Sequence, residues 1–472
     1  MRRSVSMGTR FSAIGSPITT GNVKIRFDYI IYFTGKWPDN ESMSIPAKPV
    51  NAILVGAGNR GADVYGRFAL GHPWLFRFTS VADPNDSRRT RFAADHSIPG
   101  DRCHADWNRL LDAAEPGDLV FICTPDRLHH QQALAFMDKG CSIVLEKPAA
   151  VTVGECSTLG HAAAAGKRRV VVCHVLRYTP FFSTLKEMLD EGRIGRVVSI
   201  NLQENIGYYH FAHSYVRGNW RNSGQACPAI LAKSCHDLDM LYWLAGSRAE
   251  SVASIGELCW FKPGNAPEGA PARCLDGCPA RSSCSWYAPD LYLTDDAGWP
   301  ASTISDDPSL VARMAALETG PYGRCVYRCD NDVVDHQHVL VRFGNGVSAS
   351  FVQSAFTADI SRVIQVMGTE GEITGNLKQG WLELRSFLTG NRDRIRLDAP
   401  GTGHNGGDDA LMNDIAALFG ASPGEAGSRS RLEESLEGHW MAFAAETART
   451  ERSIVRMDEY RATFDARGAS DG

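Results

Sequence analysis

The stretch Val50-Asn-Ala-Ile-Leu-Val-Gly-Ala-Gly-Asn-Arg-Gly61 decides the fold. An apolar, strand-like run ends at Gly56, and a helical segment follows the G-x-G-x-x-G pattern. In this pattern the first glycine permits a tight turn, the second lets the backbone approach a pyrophosphate, and the third lets helix and strand pack closely. The pattern predicts a dinucleotide-binding β-α-β unit. Its expected cofactor contacts are Gly56, Gly58, Asn59, Arg60 and Gly61.

The end of the next predicted strand indicates which dinucleotide binds. This strand ends at Asp83, 22 residues beyond Gly61. At this spacing an acidic side chain binds the adenine ribose hydroxyls and repels a 2′-phosphate. We therefore expect Asp83 to select NAD over NADP, although Arg88 and Arg89 follow closely. The alternative is that Asp83 only caps a turn with Pro84.

Apolar strands and helices alternate up to about residue 173. This alternation predicts a doubly wound parallel sheet, in which ligands lie at the carboxyl ends of the strands. Two dipeptides follow such strands directly. The residues expected at this edge are Thr124, Pro125, Glu146 and Lys147.

Length and composition exclude several classes of protein. The chain has 472 residues, a formal net charge of −5 and 43% hydrophobic residues, so we expect two or three domains and no nucleic-acid partner. No apolar run approaches the ~18 residues of a membrane-spanning helix, so no membrane partner is expected. Thirteen cysteines cannot close into disulfides within one chain, and Arg2 and Arg3 precede no apolar run. A cytoplasmic location follows as the expectation.

Residues 1–45 are interpreted as an N-terminal extension that is disordered or not native. Residues 29–33 resemble an isolated strand, and Met43 opens a short polar lead before the first strong strand. We hypothesise that Met43 is the biological start. The alternative is a genuine additional segment.

Several motifs, in order, resemble the Gfo/Idh/MocA family, named after glucose–fructose oxidoreductase and inositol dehydrogenase. They are Gly56-Ala-Gly-Asn-Arg-Gly61, Ala82-Asp-Pro-Asn85, Cys123-Thr-Pro-Asp126 with His129, Glu146-Lys-Pro148, Arg177-Tyr178 and His236-Asp-Leu-Asp239. The resemblance adds His129 to the expected cofactor contacts. It implies an α/β chain with a Rossmann domain over 46–175 and a second α/β domain over 176–472. The second domain is built on a large, mostly antiparallel open sheet whose open face forms a homodimer or homotetramer.

The resemblance also implies an NAD-dependent oxidoreductase that transfers hydride between nicotinamide and a hydroxyl of a sugar, cyclitol or sugar derivative. Lys147 is the first predicted catalytic residue. A partly desolvated lysine beside a positively charged nicotinamide gives up its proton readily, as a general base must. In the family this lysine contacts the substrate hydroxyl, and the bond to the following proline is often cis. The alternative is a lysine that only pairs with Glu146.

His236 and Lys233 complete the predicted catalytic set. His236 opens a helix, and the resemblance makes it a catalytic or substrate-orienting histidine. Asp239 shares its helical face and is expected to orient the ring; the alternative is that His236 only caps the helix. Many members carry Asp where this chain has Ala232, so Lys233 is expected to bind a substrate carboxylate or transfer the proton. The alternative is a solvated lysine.

Aromatic and polar side chains are expected to line the substrate pocket, because a sugar has apolar faces and polar edges. Tyrosines and histidines cluster over residues 208–213, and a glycine-rich loop surrounds His404. The expected substrate contacts are Arg177, Tyr178, Tyr208, His210, Trp220, Asp239 and His404.

Residues 261–330 depart from ordinary α/β texture and are rich in Pro, Gly and Cys. Four thiolates bind Zn²⁺ tetrahedrally, so a structural zinc site is one expectation. The spacing is not C-x₂-C, so disulfides, free thiols and an iron–sulfur cluster stay open. The expected metal ligands are Cys274, Cys278, Cys284, Cys325 and Cys329. Mixed ligation with Asp330, Asp332, Asp335, His336 or His338 is also open.

Two other functions remain open at this point. Some relatives are NAD-dependent glycosidases, in which transient oxidation enables elimination and NAD is regenerated. Ala232, Lys233 and the loop around His404 favour this alternative. A non-catalytic sensor of NAD or a sugar is the third possibility, and the presence of Lys147 and His236 argues against it.

Overall fold

The computed structural model describes residues 29–32, 48–165, 169–397, 403–420 and 430–468. The expectations for residues 1–28 and 33–45 lie outside the described residues. Within the extension, strand β1 (Tyr29–Tyr32) pairs in parallel with Arg392–Arg396, at one edge of the larger sheet.

The first half of the chain forms a six-stranded parallel sheet. Its order is β4-β3-β2-β5-β6-β7. The strands are β2 (Val50–Val55), β3 (Phe76–Ala82), β4 (Cys103–His104), β5 (Leu119–Ile122), β6 (Ser142–Leu145) and β7 (Val170–Val172). The strand order reverses between β2 and β5, and the crevice at such a point is where doubly wound sheets bind ligands. The expected doubly wound sheet is confirmed.

Helices connect these strands. They are α1 (Arg67–Gly71), α2 (Asp86–Asp95), α3 (Trp107–Ala113), α4 (His129–Asp138) and α5 (Val153–Ala165). A π-helical turn, Asn59–Gly66, precedes α1, so helical structure begins inside the G-x-G-x-x-G pattern and not after it. Strands β5 and β6 are almost wholly buried, as continuous apolar strands covered on both faces should be.

The second half is built on a mostly antiparallel sheet. Its order, including β1, is β1-β15-β14-β13-β12-β8-β11-β10-β9-β16, and β8 and β11 are parallel neighbours. Its strands are β8 (Val197–Asn205), β9 (Ala249–Glu257), β10 (His336–Phe343), β11 (Ser348–Ser354), β12 (Ser361–Gly368), β13 (Gly371–Asn376), β14 (Trp381–Ser386), β15 (Arg392–Arg396) and β16 (Ile454–Arg456). The expected large antiparallel sheet is confirmed.

The helices of the second half are α6 (Pro180–Asp190), α7 (Tyr208–Phe211), α8 (Ala229–Ala232), α9 (Cys235–Ala245), α10 (Ala288–Tyr292), α11 (Leu310–Thr319), α12 (Gly407–Gly420), α13 (Leu432–Glu451) and α14 (Met457–Gly468). They cover one face of the sheet or fill the insertion between β9 and β10, except that α12 packs on β2 of the first half. The long helix α13 packs on the core, and α14 follows it.

Helix α13 ties the two halves together. It is buried along most of its length, and it packs on α5 of the first half and on α9 and β9 of the second. The imidazole Nε2 of His439 accepts a hydrogen bond from the backbone N–H of Ala149 at 2.8 Å. Helix α13 therefore holds the two halves together on either side of the crevice between them. In the part of the chain that the structure describes, no helix is long and apolar enough to cross a membrane.

Candidate active site

The glycine loop after β2 has the shape that a pyrophosphate requires. Gly56 has a φ of +96°, and a Cβ there would lie 2.6 Å from the carbonyl oxygen of Cys123. A Cβ on Gly61 would lie 2.1 Å from the carbonyl oxygen of Gly56, whereas one on Gly58 would meet nothing within 4 Å. The first and third glycines are therefore required by packing, and the space before the second is open. This cradle fits a dinucleotide, whose phosphates accept hydrogen bonds from amides at a helix start.

Asp83 follows β3 beside this loop. Its Oδ2 accepts from the N–H of Ala57 at 2.7 Å, and its Oδ1 accepts from the N–H of Asn85 at 2.8 Å. The carboxylate thus caps its turn, as the alternative interpretation held, and it also holds the glycine loop. Since a carboxylate has about four lone-pair sites, two hydrogen bonds leave capacity for ribose hydroxyls. Arg89 donates to the carbonyl oxygen of Asp83 at 2.7 Å and pairs with Asp86.

Arg60, expected as a cofactor contact, is the centre of a group that we call the Arg60 network: Arg60, Tyr65, Glu146, His404 and Asp408. Its guanidinium donates to Glu146 at 2.6 Å, to the Tyr65 hydroxyl at 2.6 Å and to Asp408 at 2.8 Å. Tyr65 also donates to Glu146, and His404 Nδ1 lies 2.9 Å from Asp408 Oδ2. The network joins the glycine loop to the end of β6 and to α12.

The network keeps both carboxylates ionised. Burial alone would raise the pKa of Glu146, but the Arg60 charge and the Tyr65 hydrogen bond hold it below its ordinary value. The pKa of Asp408 is also lowered despite burial, by the His404 hydrogen bond and the Arg60 charge. Burial raises the pKa of the Tyr65 hydroxyl, so this group stays neutral and donates.

Thr124 and His129 shape the loop after β5. The Thr124 hydroxyl donates to the Gln132 side chain at 2.6 Å. The buried His129 ring lies 2.8 Å from the carbonyl oxygen of Thr124 and 2.7 Å from that of Pro148. His129 therefore holds the two strand-end loops that carry Thr124, Pro125 and Lys147 in register.

Lys147 projects from the first half toward the second. Its Nζ donates to the carbonyl oxygen of Ala232 at 2.8 Å, while its backbone N–H donates to Glu146 Oε2 at 3.1 Å. Because Glu146 is paired with Arg60, the alternative in which Lys147 merely pairs with Glu146 is wrong. Among the described residues, no carboxylate lies within ion-pair distance of the Lys147 ammonium. The Lys147–Pro148 peptide is cis, as the resemblance implied.

His236 lies in the first turn of α9, and its ring is buried. Its ring centroid is 5.6 Å from that of His174 and 6.4 Å from that of His404. In the described part of the chain its Nδ1 has no hydrogen-bond partner. Burial, together with the charge of Lys147, holds its pKa well below the ordinary value. The ring is therefore a neutral imidazole beside the lysine.

The expectation that Asp239 orients His236 is wrong. Asp239 accepts two hydrogen bonds from Arg177, at 2.6 and 2.7 Å, and its Oδ1 lies 2.9 Å from His174 Nδ1. All three side chains are buried, and the Arg177 charge helps to lower the pKa of Asp239 to about 2 despite burial. Spacing along α9 placed the carboxylate near His236, but a cation 62 residues away along the chain holds it. Arg177 and Asp239 thus support the wall behind His236.

Lys233 belongs to a second buried group, which we call the Glu204 network: Lys233, Glu204, Arg362 and Asp237. Lys233 Nζ lies 3.1 Å from Glu204 Oε1, and Arg362 Nε lies 3.0 Å from Glu204 Oε2. Arg362 also donates to both oxygens of Asp237, at 2.6 and 3.1 Å. The alternative of a solvated Lys233 is therefore wrong. Burial, partly offset by the Glu204 charge, lowers the pKa of this lysine.

The remaining expected substrate contacts are Tyr178 and Trp220, which each donate a hydrogen bond to a carboxylate, and Tyr208, His210 and His404. Tyr178 is buried, and its hydroxyl donates to Asp414 at 2.9 Å, while Trp220 Nε1 donates to Asp126 at 2.8 Å in the loop after β5. His210 is half-buried, and burial with the Lys233 charge lowers its pKa. Tyr208 precedes it on α7, which begins directly after β8 and Gly207. His404 has a φ of +47° and is half-exposed, and its ring centroid lies 6.4 Å from that of His236.

Sequence reasoning missed three side chains of this region. The exposed ring of Trp299 lies 4.8 Å from that of His210, between ring centroids. Asp408 anchors both Arg60 and His404, and Glu204 anchors Lys233 and Arg362. Asp408 directly follows the glycine-rich loop around His404, which is a usable signal. Trp299 and Glu204 have no local signal, because their partners are distant in sequence.

The predicted metal ligands lie in the insertion. Cys274, Cys278, Cys284 and Cys325 line one cavity, and Cys329 does not line it. All thirteen cysteines fall within the described residues and are free thiols, so the disulfide alternative is wrong for this structure. Asp330 pairs with Arg221 and Arg324 instead of facing these sulfur atoms.

Comparison with known proteins identifies the class. Residues 50–174 match the oxidoreductase family with an NAD-binding Rossmann fold, and residues 186–399 match the C-terminal alpha/beta domain of the same family. The chain belongs to the Gfo/Idh/MocA family and is an NAD-binding oxidoreductase.

Individual relatives show which named proteins this chain resembles in sequence and in structure. Inositol 2-dehydrogenase 2 of Saccharopolyspora erythraea is 31% identical over 203 residues, which cover 42% of this chain and 54% of that protein. An NAD binding oxidoreductase from Klebsiella pneumoniae has a TM-score of 0.64 at 18% identity, covering 87% of this chain and 99% of that one. Levoglucosan dehydrogenase in complex with NADH and levoglucosan gives the same TM-score and identity, covering 87% of this chain and all of that one (100%). At such identities the structures show the shared fold.

Proposed function

We propose that this protein is an NAD-dependent dehydrogenase acting on a hydroxyl of a sugar, cyclitol or sugar derivative, with Lys147 as the proton acceptor. One observation carries the proposal. The Lys147 ammonium crosses from the end of β6 to the carbonyl oxygen of Ala232, where it lies beside His236 without a carboxylate partner among the described residues. A substrate hydroxyl that displaces this carbonyl contact meets the amine directly.

Bound NAD supplies the acceptor for a hydride. The protein has to remove the hydroxyl proton and align the carbon. Lys147 Nζ, in its neutral form, takes the proton from the substrate oxygen. His236 stays neutral, and because its Nδ1 is buried, Nε2 is the ring nitrogen that can bind an adjacent substrate hydroxyl and fix the orientation of the substrate ring. Proton transfer by such a positioned group contributes about 10²–10⁴ in rate.

The side chains around this lysine favour a polyhydroxylated ring as substrate. Tyr208, His210 and Trp299 provide flat apolar surfaces with polar edges in the second half of the chain. The related proteins named for inositol and levoglucosan act on compounds of this class. Lys233 is proposed to support the reaction through its pair with Glu204, which keeps a second cation near the substrate oxygen.

A substrate screen with Lys147→Met tests the proposal. We expect the wild-type protein to form NADH with at least one cyclitol or sugar. The variant should lose about 10²–10⁴ in kcat, because the proton acceptor is gone, while its Kd for NAD changes little. Absorbance of NADH and a direct NAD titration measure the two quantities.

Lys139→Met is the matched control. Lys139 directly follows the end of α4, and its Nζ contacts only the carbonyl oxygen of Asp112, at 3.3 Å. This variant should keep wild-type turnover. A Lys147→Met protein that binds NAD normally and turns over at the control rate would exclude Lys147 as the acceptor.

An NAD-recycling glycosidase is a second candidate, and the paired His404 and Asp408 favour it. Elimination after transient oxidation needs a second base, and a histidine held by a carboxylate suits that role. In this reaction NAD is not consumed, a free sugar is released, and solvent deuterium enters the carbon next to the oxidised one. Stoichiometric NADH without deuterium uptake would reject the glycosidase.

We also propose that the protein assembles as a dimer or tetramer through the uncovered face of the large sheet. Ile255 on β9 and Leu340 on β10 are 73% and 61% exposed there, and Val363 and Ile454 share this face. Contiguous apolar patches of this kind mark association sites. Light scattering should show a multimer that Leu340→Glu dissociates; a monomeric wild type would overturn the assignment.

A further inference from the structure

The insertion between β9 and β10 brings four cysteines to one cavity. Cys274, Cys278, Cys284 and Cys325 line it together with Arg217 and Trp286. The four positions come from two segments about 40 residues apart, so the fold, and not sequence proximity, assembles them. A cavity lined by four free thiols needs an explanation beyond packing.

Backbone amides are aimed at three of these sulfur atoms. The N–H of Ala288 donates to Cys274 Sγ at 3.5 Å. The amides of Trp286 and Tyr327, each two residues beyond a cysteine, donate to the sulfur atoms of Cys284 and Cys325. Three of the four sulfur atoms thus accept backbone hydrogen bonds, as the sulfur atoms around iron–sulfur clusters do.

Arg217 supplies an independent observation. Its side chain is completely buried, and its donors reach the carbonyl oxygens of Arg324 and Trp286, at 2.8 and 2.7 Å, Cys274 Sγ at 3.7 Å and the Tyr292 hydroxyl, none of which is a carboxylate. Its Nη1 has no partner, and no carboxylate lies within ion-pair distance, in the described part of the chain. A buried cation without an anion is costly. Four thiolates around a divalent centre carry a net negative charge that matches it.

We propose that Cys274, Cys278, Cys284 and Cys325 hold a metal centre of the iron–sulfur type, with Arg217 as its counter-cation. The spacing of the sulfur atoms selects the kind of centre. Thiolates on one tetrahedral zinc ion lie about 3.8 Å apart, given Zn–S bonds of about 2.3 Å. No three of these four sulfur atoms lie within 4.8 Å of one another among the described residues. A four-iron cluster, which takes one cysteine at each iron, needs this wider arrangement.

The centre also bears on the proposed dehydrogenase site. Arg217 ends the π-helical turn Ala212–Arg217, which continues α7 and its substrate-side His210. Trp286 Nε1 donates to the carbonyl oxygen of Tyr208 at 3.2 Å. The cluster therefore holds the segment that presents Tyr208 and His210. This consequence rests on the proposed function, whereas the presence of the centre does not.

The test is metal analysis of full-length wild-type protein purified without chelator and without oxygen. We expect about four iron atoms and four acid-labile sulfides per chain, with broad visible absorbance that dithionite bleaches. Cys278→Ala and Cys284→Ala should lose this absorbance. Cys329→Ala is the matched control, because Cys329 lies in the same insertion outside the cavity, and it should keep full iron content.

The wild-type measurement does not depend on whether the variants fold. About one equivalent of zinc without iron would overturn the iron–sulfur assignment. Less than about a tenth of an equivalent of either metal, before and after anaerobic reconstitution, would overturn the site itself. Iron content equal in Cys278→Ala, Cys284→Ala and wild type would also overturn it. Catalysis is not part of this readout, so failure of the dehydrogenase proposal would leave the metal result unaffected.

Discussion

Two buried charge networks flank Lys147, and they differ in balance and in reach. The Arg60 network has one arginine for two carboxylates, and it joins the glycine loop, the end of β6 and α12. The Glu204 network has two cations for two carboxylates and lies wholly within the second half. The side chain of Arg60 is 25% exposed, whereas that of Arg362 is 11% exposed.

This difference indicates separate tasks. The Arg60 network ties the glycine loop to the end of β6 and to α12, so its task is to hold the cofactor loop in place. The Glu204 network has as many cations as carboxylates and little exposure to water, so it holds Lys233 in place with little net charge. Buried charges tolerate the loss of a partner poorly, so each network should fail in its own way when its arginine is removed.

The largest effect is expected for Arg362→Met. Removing this guanidinium leaves Glu204 and Asp237 buried with only Lys233 between them. The free energy of unfolding should fall by about 3–5 kcal/mol, as for other buried pairs that lose one member. Chemical denaturation measures it, and Arg91→Met is the control. Arg91 pairs with Asp63 at the surface of the first half, so its loss should cost less than about 1 kcal/mol. Equal losses in the two variants would show that the Glu204 network is not closed to water.

A smaller effect on stability, but a specific one on the cofactor, is expected for Arg60→Met. Because Arg60 is partly exposed, the loss of unfolding free energy should be about 2 kcal/mol. The Kd for NAD should rise about tenfold, since the glycine loop loses its tie to β6 and α12. Arg91→Met is the control, because Arg91 pairs with Asp63 at the surface. A Kd that rises in Arg362→Met but not in Arg60→Met would reverse the assignment of the networks.

The smallest effect is a difference in pH dependence between two carboxyl groups. Burial raises the pKa of Asp237 to about 6, whereas His404 and Arg60 hold that of Asp408 below its ordinary value. A raised pKa means that folded Asp237 binds more protons than the unfolded chain between about pH 4 and 6. Its contribution to stability is therefore present at low pH and lost as pH rises through 6. Asp408 contributes stability above its unfolded pKa and loses it only in stronger acid.

Denaturation of wild type, Asp237→Asn and Asp408→Asn from pH 4.5 to 7.5 separates these signs. The wild type should lose stability relative to Asp237→Asn as pH rises across this range. Its difference from Asp408→Asn should stay constant, because Asp408 is ionised throughout in both states. A flat profile for the Asp237 pair would contradict the distinction.

The sequence predicted the first half well because its signals are local. A strand, three glycines and a helix within about 20 residues specify the loop at Gly56, and the dipeptides at Thr124 and Glu146 follow buried strands directly. The large antiparallel sheet followed from the family likeness. Helix α14 escaped prediction because polar and apolar residues mix along it without a clear stripe.

The site was harder to predict because its contacts join distant segments. Asp239 and His236 share a helix, and yet Arg177 binds the carboxylate from 62 residues away. Lys233 was expected to face the substrate, but Glu204 at the end of β8 holds it. The identity of a side chain indicates what it can bind, and only the tertiary structure decides which partner arrives.

The position of residues 430–468 affects the order in which the protein is built. The N–H of Val172 at the end of β7 donates to the carbonyl oxygen of Ser430 at 3.0 Å, and His439 closes the loop after Lys147. A nascent chain leaves the ribosome from its N-terminus, so the nucleotide-binding sheet emerges long before these partners. Its last strand edge and the loop after Lys147 therefore stay incomplete until residues 430–439 have been synthesised.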